Sequence, residues 1–396
     1  MAGLSRRAIL ATVTDLSAAW ALPKDALAQR LSLAPVRSEA PSTLQSTVRV
    51  GPVQQGSYRT LVAGPGEDYY PRLDLTRQIP DAQRASRRRS LLYLAHLTDI
   101  HIIDAQSPAR LEPLIAMDHS LWAGAFRPQD TLTTQVAAST VQAIADLRTS
   151  PVTGAPLAAA FVTGDTSDML SRLEVRWYID ILDGKSVTPN SGAPGSYDGV
   201  QAWADALWAY HPEDPGSDMW GTYGFPRIPG MLQVATQNEV VSVGLPVPWY
   251  VVYGNHDTLY IGTLAVPSAL RQFAVGDRKA AEWIPLMANY VADWAADSNA
   301  LSRVVQALTT NAGWTPGFHS VAADARRELL ERTDFMAAHM ETAANPGPVG
   351  HGFTPENLAT GQTWWSADIG PFVRAFGLDT CNAVAGPRSE EHTSNS

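Results

Sequence analysis

Three short polar strings in this chain combine residue types that bind divalent metal ions. They are Thr98-Asp99-Ile100-His101, Gly164-Asp165-Thr166-Ser167-Asp168 and Gly254-Asn255-His256-Asp257, and each directly follows an apolar run. Carboxylate, imidazole and carboxamide groups are ligands that ions such as Mn, Fe and Zn accept. Apolar runs of this kind are typical of buried parallel strands, whose carboxyl ends meet at one edge of a sheet. The strings therefore predict a metal site at that edge.

The first two strings offer ligands for neighbouring ions. Asp99 and His101 lie two residues apart, so at a strand end both side chains can point the same way and hold one metal. Gly164 lacks a side chain, which allows a tight turn and the close approach of a second ion. The carboxylate of Asp165 can then bridge two metals.

The third string is the most specific of the three. Asn255 can complete a metal site through its carboxamide oxygen without adding negative charge. His256 can act on a leaving group, and the adjacent Asp257 is expected to orient its ring. Any one string alone is also compatible with an ordinary turn that contains a hydrogen-bonded histidine.

The elements around the strings predict a strand, helix, strand order. Continuous apolar runs at 91–97, 157–163 and 248–253 predict buried strands, and the apolar face of 131–148 predicts a helix between the first two. Stretches 278–308 and 323–341 also have near-helical spacing, whereas 363–368 and 371–379 predict a pair of strands. Parallel strands joined by a helix indicate a crossover unit.

Composition restricts the partners of the chain. Of its 396 residues, 45% are hydrophobic and 17% are charged, which is typical of a globular protein with a large core. The formal net charge of -10 argues against a nucleic-acid-binding surface, because phosphate backbones are held mainly by clustered Lys and Arg. The single cysteine, Cys381, excludes an internal disulfide.

The N-terminus resembles an export signal. The string Ser5-Arg6-Arg7-Ala8-Ile9-Leu10 is similar to a twin-arginine motif, and an apolar stretch and a small-residue site at 26–28 follow it. Asp15 inside the apolar stretch weakens this interpretation, and the alternative is an ordinary helix with an Arg pair. No run reaches the roughly 18 apolar residues of a transmembrane helix. We therefore expect an exported protein of the periplasm, cell envelope or extracellular space.

The predicted domain organisation has four parts. Residues 1–28 form the signal, 29–90 a lead-in segment, 91–385 the main domain and 386–396 a polar tail. The main domain carries insertions at about 184–247 and 258–345. The first insertion is rich in Trp, Gly and Pro, and it is expected either to contact substrate near the site or to serve as a structural cap.

In this order, the three strings resemble the calcineurin-like metallophosphoesterase superfamily, whose motifs run Asp-x-His, Gly-Asp-x-x-Asp and Gly-Asn-His-Asp or -Glu. The segments AHLTDIHIIDAQSPARLE, VGHGFTPEN and WWSADIGPFVRAFGLDT are similar to an exported, actinobacterial-type branch of that superfamily, so the resemblance spans about 91–379. It implies an α/β fold, a four-layer sandwich of two mixed sheets flanked by helices.

The resemblance also implies a reaction and a role for each residue. The reaction is hydrolysis of phosphomonoesters or phosphodiesters with two divalent metal ions, Mn, Fe or Zn. Asp99 and His101 would hold the first metal, Asp165 would bridge, and Asn255 would hold the second. His256 would stabilise the transition state or protonate the leaving oxygen. Asp168, at the end of the second motif, is expected to act as a turn residue or to support the ligands.

The chain departs from the family pattern at its end. The family takes further histidine ligands from two later strand ends, which this chain does not show after Asp379. The tail resembles a read-through product, so we expect a fold that is incomplete at its C-terminal end and an impaired second metal site. His351 is expected to be structural or to face the substrate rather than to replace a ligand.

Two alternatives remain open from the sequence. One is a noncatalytic binding or structural protein that keeps the phosphoesterase fold. The other is a hydrolase acting on a nucleotide pyrophosphate or a phospholipid headgroup ester, since the metals act on the phosphoryl group and not on what is attached to it. The expected partner is a small-molecule, lipid or nucleotide phosphoester.

Overall fold

The computed structural model describes most of the chain between residues 42 and 381. Positions 44, 56–57, 69, 71, 80, 88, 117–121, 215–217, 261–265 and 343–344 lie outside the description, as does 283–316 apart from Arg303, Gln306 and Thr309. The predicted export signal and the polar tail therefore lie outside the described residues. The chain divides into two compact units, of which the second contains 48–64, 94–148 and 157 onwards.

The first unit contains two short helices before the first core strand. The second unit contains all three polar strings and the elements that surround them. The strands of the structure are β1 Ser46–Gln55, β2 Tyr58–Pro65, β3 Tyr93–Leu97, β4 Leu157–Val162, β5 Trp249–Val251, β6 Arg278–Ala280, β7 Phe318–Ser320, β8 Trp365–Ile369 and β9 Val373–Gly377. The α-helices are α1 Leu73–Thr76, α2 Arg84–Arg87, α3 Thr133–Asp146, α4 Arg172–Leu182, α5 Met219–Thr222, α6 Met231–Gln237, α7 Ser268–Ala274, α8 Arg332–Met340 and α9 Pro355–Thr360.

A three-stranded sheet in the order β3-β4-β5 forms the centre of the second unit. Strands β4 and β5 pair in parallel, with Ala160 opposite Trp249 and Val162 opposite Val251. One face of this sheet is completely buried at Ala160, Trp249 and Val251. On the other face, Phe161 and Tyr250 pack against the ring of Trp365. Continuous apolar runs are typical of strands that are covered on both faces.

Helices α3 and α4 pack against each other beside this sheet. Ala137 and Val141 of α3 face the core, and α4 buries most of its length. Helix α4 begins with a capping box in which Ser171 accepts a hydrogen bond from the backbone N–H of Glu174 and the Glu174 carboxylate bonds back. The cap determines where α4 begins, directly after the second polar string.

The first insertion is an ordered part of the second unit. Its aromatic side chains form a separate core in which Phe126 packs edge-on against Trp208 and Trp220. Tyr210 and Met231 are buried in the same cluster. The Trp-rich composition thus reflects a local hydrophobic core among short helices.

Two helical predictions were wrong at their starts. Residues 278–280 form β6, which pairs antiparallel with β7, and most of the remaining predicted helix lies outside the described residues. In the stretch 323–341, a 3-10 turn at Ala325–Arg327 precedes helix α8, which begins only at Arg332. Arg327 is completely buried and contacts Asp104, so long-range packing determines this segment.

The predicted mixed α/β class is confirmed, with several small sheets and surrounding helices. Strands β8 and β9 form an antiparallel hairpin joined through Gly370, as the last predicted strand pair implies. Among the described residues, no helix has both the length and the apolar character needed to cross a bilayer.

Candidate metal centre

The three polar strings form adjacent loops at the carboxyl end of the central sheet. Beyond the last residues of β3 and β4 the backbones continue to pair, since the N–H of His101 donates to the carbonyl of Asp165 over 2.9 Å. One step further, Ile102 and Ser167 form a parallel bridge. The first string is therefore held against the second by main-chain hydrogen bonds.

Two glycines allow the second and third strings to touch. A Cβ at Gly164 would lie 2.7 Å from Cα of Gly254, and a Cβ at Gly254 would lie 2.1 Å from the backbone nitrogen of Asp165. Neither position has space for a side chain. The approach lets the Asp165 carboxylate accept a hydrogen bond of 2.8 Å from the backbone N–H of His256.

Three of the predicted ligands have left-handed backbone conformations. The φ angles of Asp99, His101 and Asp165 are 54°, 45° and 52°. Non-glycine residues rarely adopt this region, and the conformation costs about 1 kcal/mol or more at each position. Strained backbone of this kind is concentrated at functional sites, where the surrounding structure holds it in place.

The structure brings four of the predicted site residues into one cluster. His101, Asp165 and His256 offer ligand atoms that all lie within 4.8 Å of one another. Nε2 of His101 is 3.7 Å from Oδ1 of Asp99 and 3.9 Å from Oδ2 of Asp165. Two atoms that each bind one ion at about 2 Å are at most about 4 Å apart, so the distances from His101 to Asp99 and Asp165 suit a shared ion.

Nitrogen and carboxylate donors of this kind suit Mn, Fe or Zn. The residues present therefore fit a divalent metal, with His101 and Asp165 as the central pair. His256 lies in the same cluster, and its ring meets that of His101 edge-on at a centroid distance of 4.5 Å.

Asn255 lies beside the cluster at the wall of a cavity of about 440 Å³. Asp99 and Asp165 line the same cavity, so three of the predicted ligands share one accessible space. The remaining wall includes Phe376 and Leu378 near the end of β9. This cavity gives an ion or a small substrate access to the carboxylates.

Asp168 contacts both histidines of the cluster. Its Oδ1 lies 3.4 Å from Nδ1 of His101 and 3.4 Å from Nδ1 of His256. A carboxylate facing both Nδ1 atoms favours a proton on each of them and leaves the Nε2 atoms for a ligand or a substrate. Burial alone would lower the pKa of His256, but the charges of Asp168 and Asp165 outweigh burial and raise it.

The expectation that Asp257 orients the His256 ring is corrected by the structure. Asp257 is completely buried, and its Oδ1 accepts hydrogen bonds from the backbone N–H and hydroxyl groups of Thr166 and Ser167. Its Oδ2 accepts from the backbone N–H of Gly254. Asp257 therefore joins the second string to the third, and the carboxylate beside the His256 ring belongs to Asp168.

Asp168 is part of a buried network of charged side chains. Arg110 donates through Nη1 to Asp168 over 2.6 Å, through Nη2 to Asp130 over 2.9 Å and through Nε to Glu112 over 3.0 Å. Lys279 of β6, itself completely buried, donates to Glu112 over 2.7 Å. Burial alone would raise the pKa of Asp168, but Arg110 and the two histidines outweigh burial and hold it well below its usual range.

His351 is a structural residue in the core. It is completely buried, stacks on Trp249 at a centroid distance of 3.5 Å and shares a hydrogen bond of 2.9 Å between its Nδ1 and Nδ1 of His339. Burial lowers the pKa of both histidines, which favours their neutral forms. His351 therefore does not belong to the candidate metal-binding cluster.

Sequence reasoning missed the arginines of this site. Arg110 and Arg127 belong to polar loops whose composition predicts exposure to solvent, and neither loop has a motif that marks a buried guanidinium. Asp168, which the sequence predicts as a turn residue or a support for the ligands, lies beside both histidines of the cluster. A scan against family models, a search of curated proteins and a search of solved structures each gave no significant match.

Proposed function

We propose that this protein is a metal-dependent phosphoesterase of the calcineurin-like type. The observation that carries the proposal is the cluster of His101, Asp165 and His256, with Asp99 beside it, at the carboxyl edge of a parallel sheet. The motif order of the sequence supports the same class. The finer expectations, a four-layer sandwich and a second metal ion, belong to this proposal.

The candidate ligands would divide between two ions. His101 and Asp99 would hold the first, Asp165 would bridge, and Asn255 at the cavity wall would contribute to the second. Divalent ions there would supply Lewis-acid polarisation of a phosphoryl oxygen and activation of a water molecule. Asp99 is more than half exposed, so it can move to meet an ion, whereas Asp165 is held by its hydrogen bond to His256.

His256 would protonate the leaving oxygen of the ester. Asp168 faces its Nδ1 and raises the pKa of the ring, which favours the protonated form. A cationic imidazole can stabilise developing negative charge and then release its proton to the leaving group. Arg110 holds the Asp168 carboxylate in place beside this ring.

The test combines metal binding with hydrolysis. Wild type is expected to bind Mn in calorimetry and to hydrolyse p-nitrophenyl phosphate or bis-p-nitrophenyl phosphate with Mn present. His101→Ala and Asp165→Asn should each lose at least a hundredfold in kcat/KM and most of the Mn affinity. His319→Ala is the matched control, because this histidine stacks on Trp203 outside the cluster.

The two readouts separate the rival interpretations. Mn binding without hydrolysis of either ester would favour a noncatalytic metal-binding protein. Unchanged Mn affinity in both cluster variants would contradict the assignment of the ligands.

A further inference from the structure

Arg127 has guanidinium donors that no described side chain saturates. Its Nη1 lies 3.6 Å from Oδ1 of Asp168, which is an ion-pair separation beyond hydrogen-bond range. Within the described part of the chain, this Nη1 lacks a hydrogen-bond partner, although the atom is buried. Such orphaned groups are costly unless a further molecule completes them.

The comparison with Arg110 shows that Arg127 is not needed to neutralise Asp168. Arg110 is completely enclosed and directs its donors to three carboxylates, including a 2.6 Å bond to Asp168. The Arg127 side chain as a whole retains 29% of its exposure although its Nη1 is buried, so solvent and solutes reach the other atoms of the side chain. Arg110 is therefore structural, whereas Arg127 offers an accessible positive charge.

The main chain holds Arg127 beside the two histidines. Its backbone N–H donates to Oδ2 of Asp130 over 3.3 Å, and its carbonyl accepts from the Asp130 N–H over 3.1 Å. The Oδ1 atom of Asp168 that faces Nη1 also faces both imidazoles of the cluster. The guanidinium and His256 therefore border the same small region.

A guanidinium in this position is suited to phosphoryl oxygens. Its planar fork can donate two parallel hydrogen bonds to an anionic tetrahedral group. A phosphomonoester dianion carries one more negative charge than a diester, so an additional cation stabilises its binding more.

We propose that Arg127 binds the non-bridging oxygens of the phosphoryl group and selects phosphomonoesters over phosphodiesters. This inference rests on the proposed phosphoesterase function and names its substrate class. The arginine acts as a substrate-binding residue, while the ligand cluster and His256 keep the roles given above.

The experiment measures two properties of the full chain with Mn present. One is kcat/KM for p-nitrophenyl phosphate and for bis-p-nitrophenyl phosphate, and the other is the affinity for inorganic phosphate in calorimetry. Arg127→Ala is expected to lower kcat/KM for the monoester and the affinity for phosphate by about ten- to a hundredfold, because a charge-assisted hydrogen bond is lost. It should lower kcat/KM for the diester by less than about threefold. Arg127→Lys should recover part of the loss because it restores the charge without the fork.

Arg148→Ala is the matched control, since this exposed arginine follows the end of α3 and its side chain donates to the nearby carbonyl of Ala145. The midpoints of urea unfolding should be the same for all variants as for wild type, which would show that the fold is retained. Equal losses on both esters, or wild-type phosphate affinity in Arg127→Ala, would overturn the inference. If wild type hydrolyses neither ester, the proposed function fails, and the phosphate affinities still decide whether Arg127 binds the anion.

Discussion

Replacing Asp257 should destabilise the fold, because its carboxylate joins the second polar string to the third. The carboxylate accepts hydrogen bonds from three backbone N–H groups and two hydroxyls, all contributed by Thr166, Ser167 and Gly254. Asp257→Ala removes the acceptor for all of them at once. Because the site is completely buried, water cannot readily take its place.

The magnitude follows from these bonds. A buried donor left without a partner costs about 1–3 kcal/mol, and the three N–H groups cannot rotate to find another acceptor. Burial raises the pKa of Asp257, so removing the charge returns part of this loss. We therefore expect Asp257→Ala to lower the free energy of unfolding by about 3–5 kcal/mol and Asp257→Asn, which keeps one oxygen, by about 1–3 kcal/mol.

Urea unfolding followed by fluorescence of the 12 tryptophans measures these changes as shifts of the midpoint. Asp146→Ala, which removes an exposed carboxylate from α3, is the control and should unfold as wild type does. If Asp257→Ala unfolds within about 1 kcal/mol of wild type, Asp257 does not join the two strings, and the reasoning is refuted.

Three further predictions concern the same region. Gly254→Ala places a methyl group 2.1 Å from the backbone nitrogen of Asp165 and should lower Mn affinity at least about tenfold in calorimetry, whereas Gly195→Ala, with nothing within 4 Å, should not. Asp168→Asn should weaken Mn binding by about 10- to 100-fold, because it removes the carboxylate that faces both imidazoles; equal affinity would contradict this. Burial raises the pKa of Glu174 to about 8 in the folded protein. The carboxyl group therefore ionises at a lower pH in the unfolded chain, and the free energy of unfolding should fall as pH rises from about 5 to 8. Glu174→Gln should remove this decrease in the urea midpoint, and parallel pH curves for the two proteins would count against the assignment.

The central strands and the positions of the three strings were predictable because their signals are local. An apolar run followed by polar ligand-type residues marks a strand end wherever the strand pairs. Strand β6 was not predictable in this way, because residues 278–280 are extended only through pairing with Phe318–Ser320. That pairing joins segments about 40 residues apart in sequence, and no local pattern records it.

The clustering of the candidate ligand residues could be predicted from the sequence, but the partner of the His256 ring and the two arginines could not. Asp257 is adjacent to His256 in sequence, so it was expected beside the imidazole. The turn directs Asp257 into the core and leaves the ring facing Asp168, which lies 88 positions earlier in the numbering. Arg110 and Arg127 resemble surface arginines, and only the fold shows that their loop returns to the sheet edge.

The left-handed backbone at Asp99, His101 and Asp165 lowers the stability of the fold but places a potential metal-binding side chain at each position. Glycine adopts these φ angles at little steric cost, so a screen that rewards only thermal resistance would favour glycine at each position. Each such gain would remove a carboxylate or an imidazole from the cluster. Efforts to produce a more robust form of this protein should therefore hold these three positions constant and look for stability elsewhere, where the backbone is relaxed.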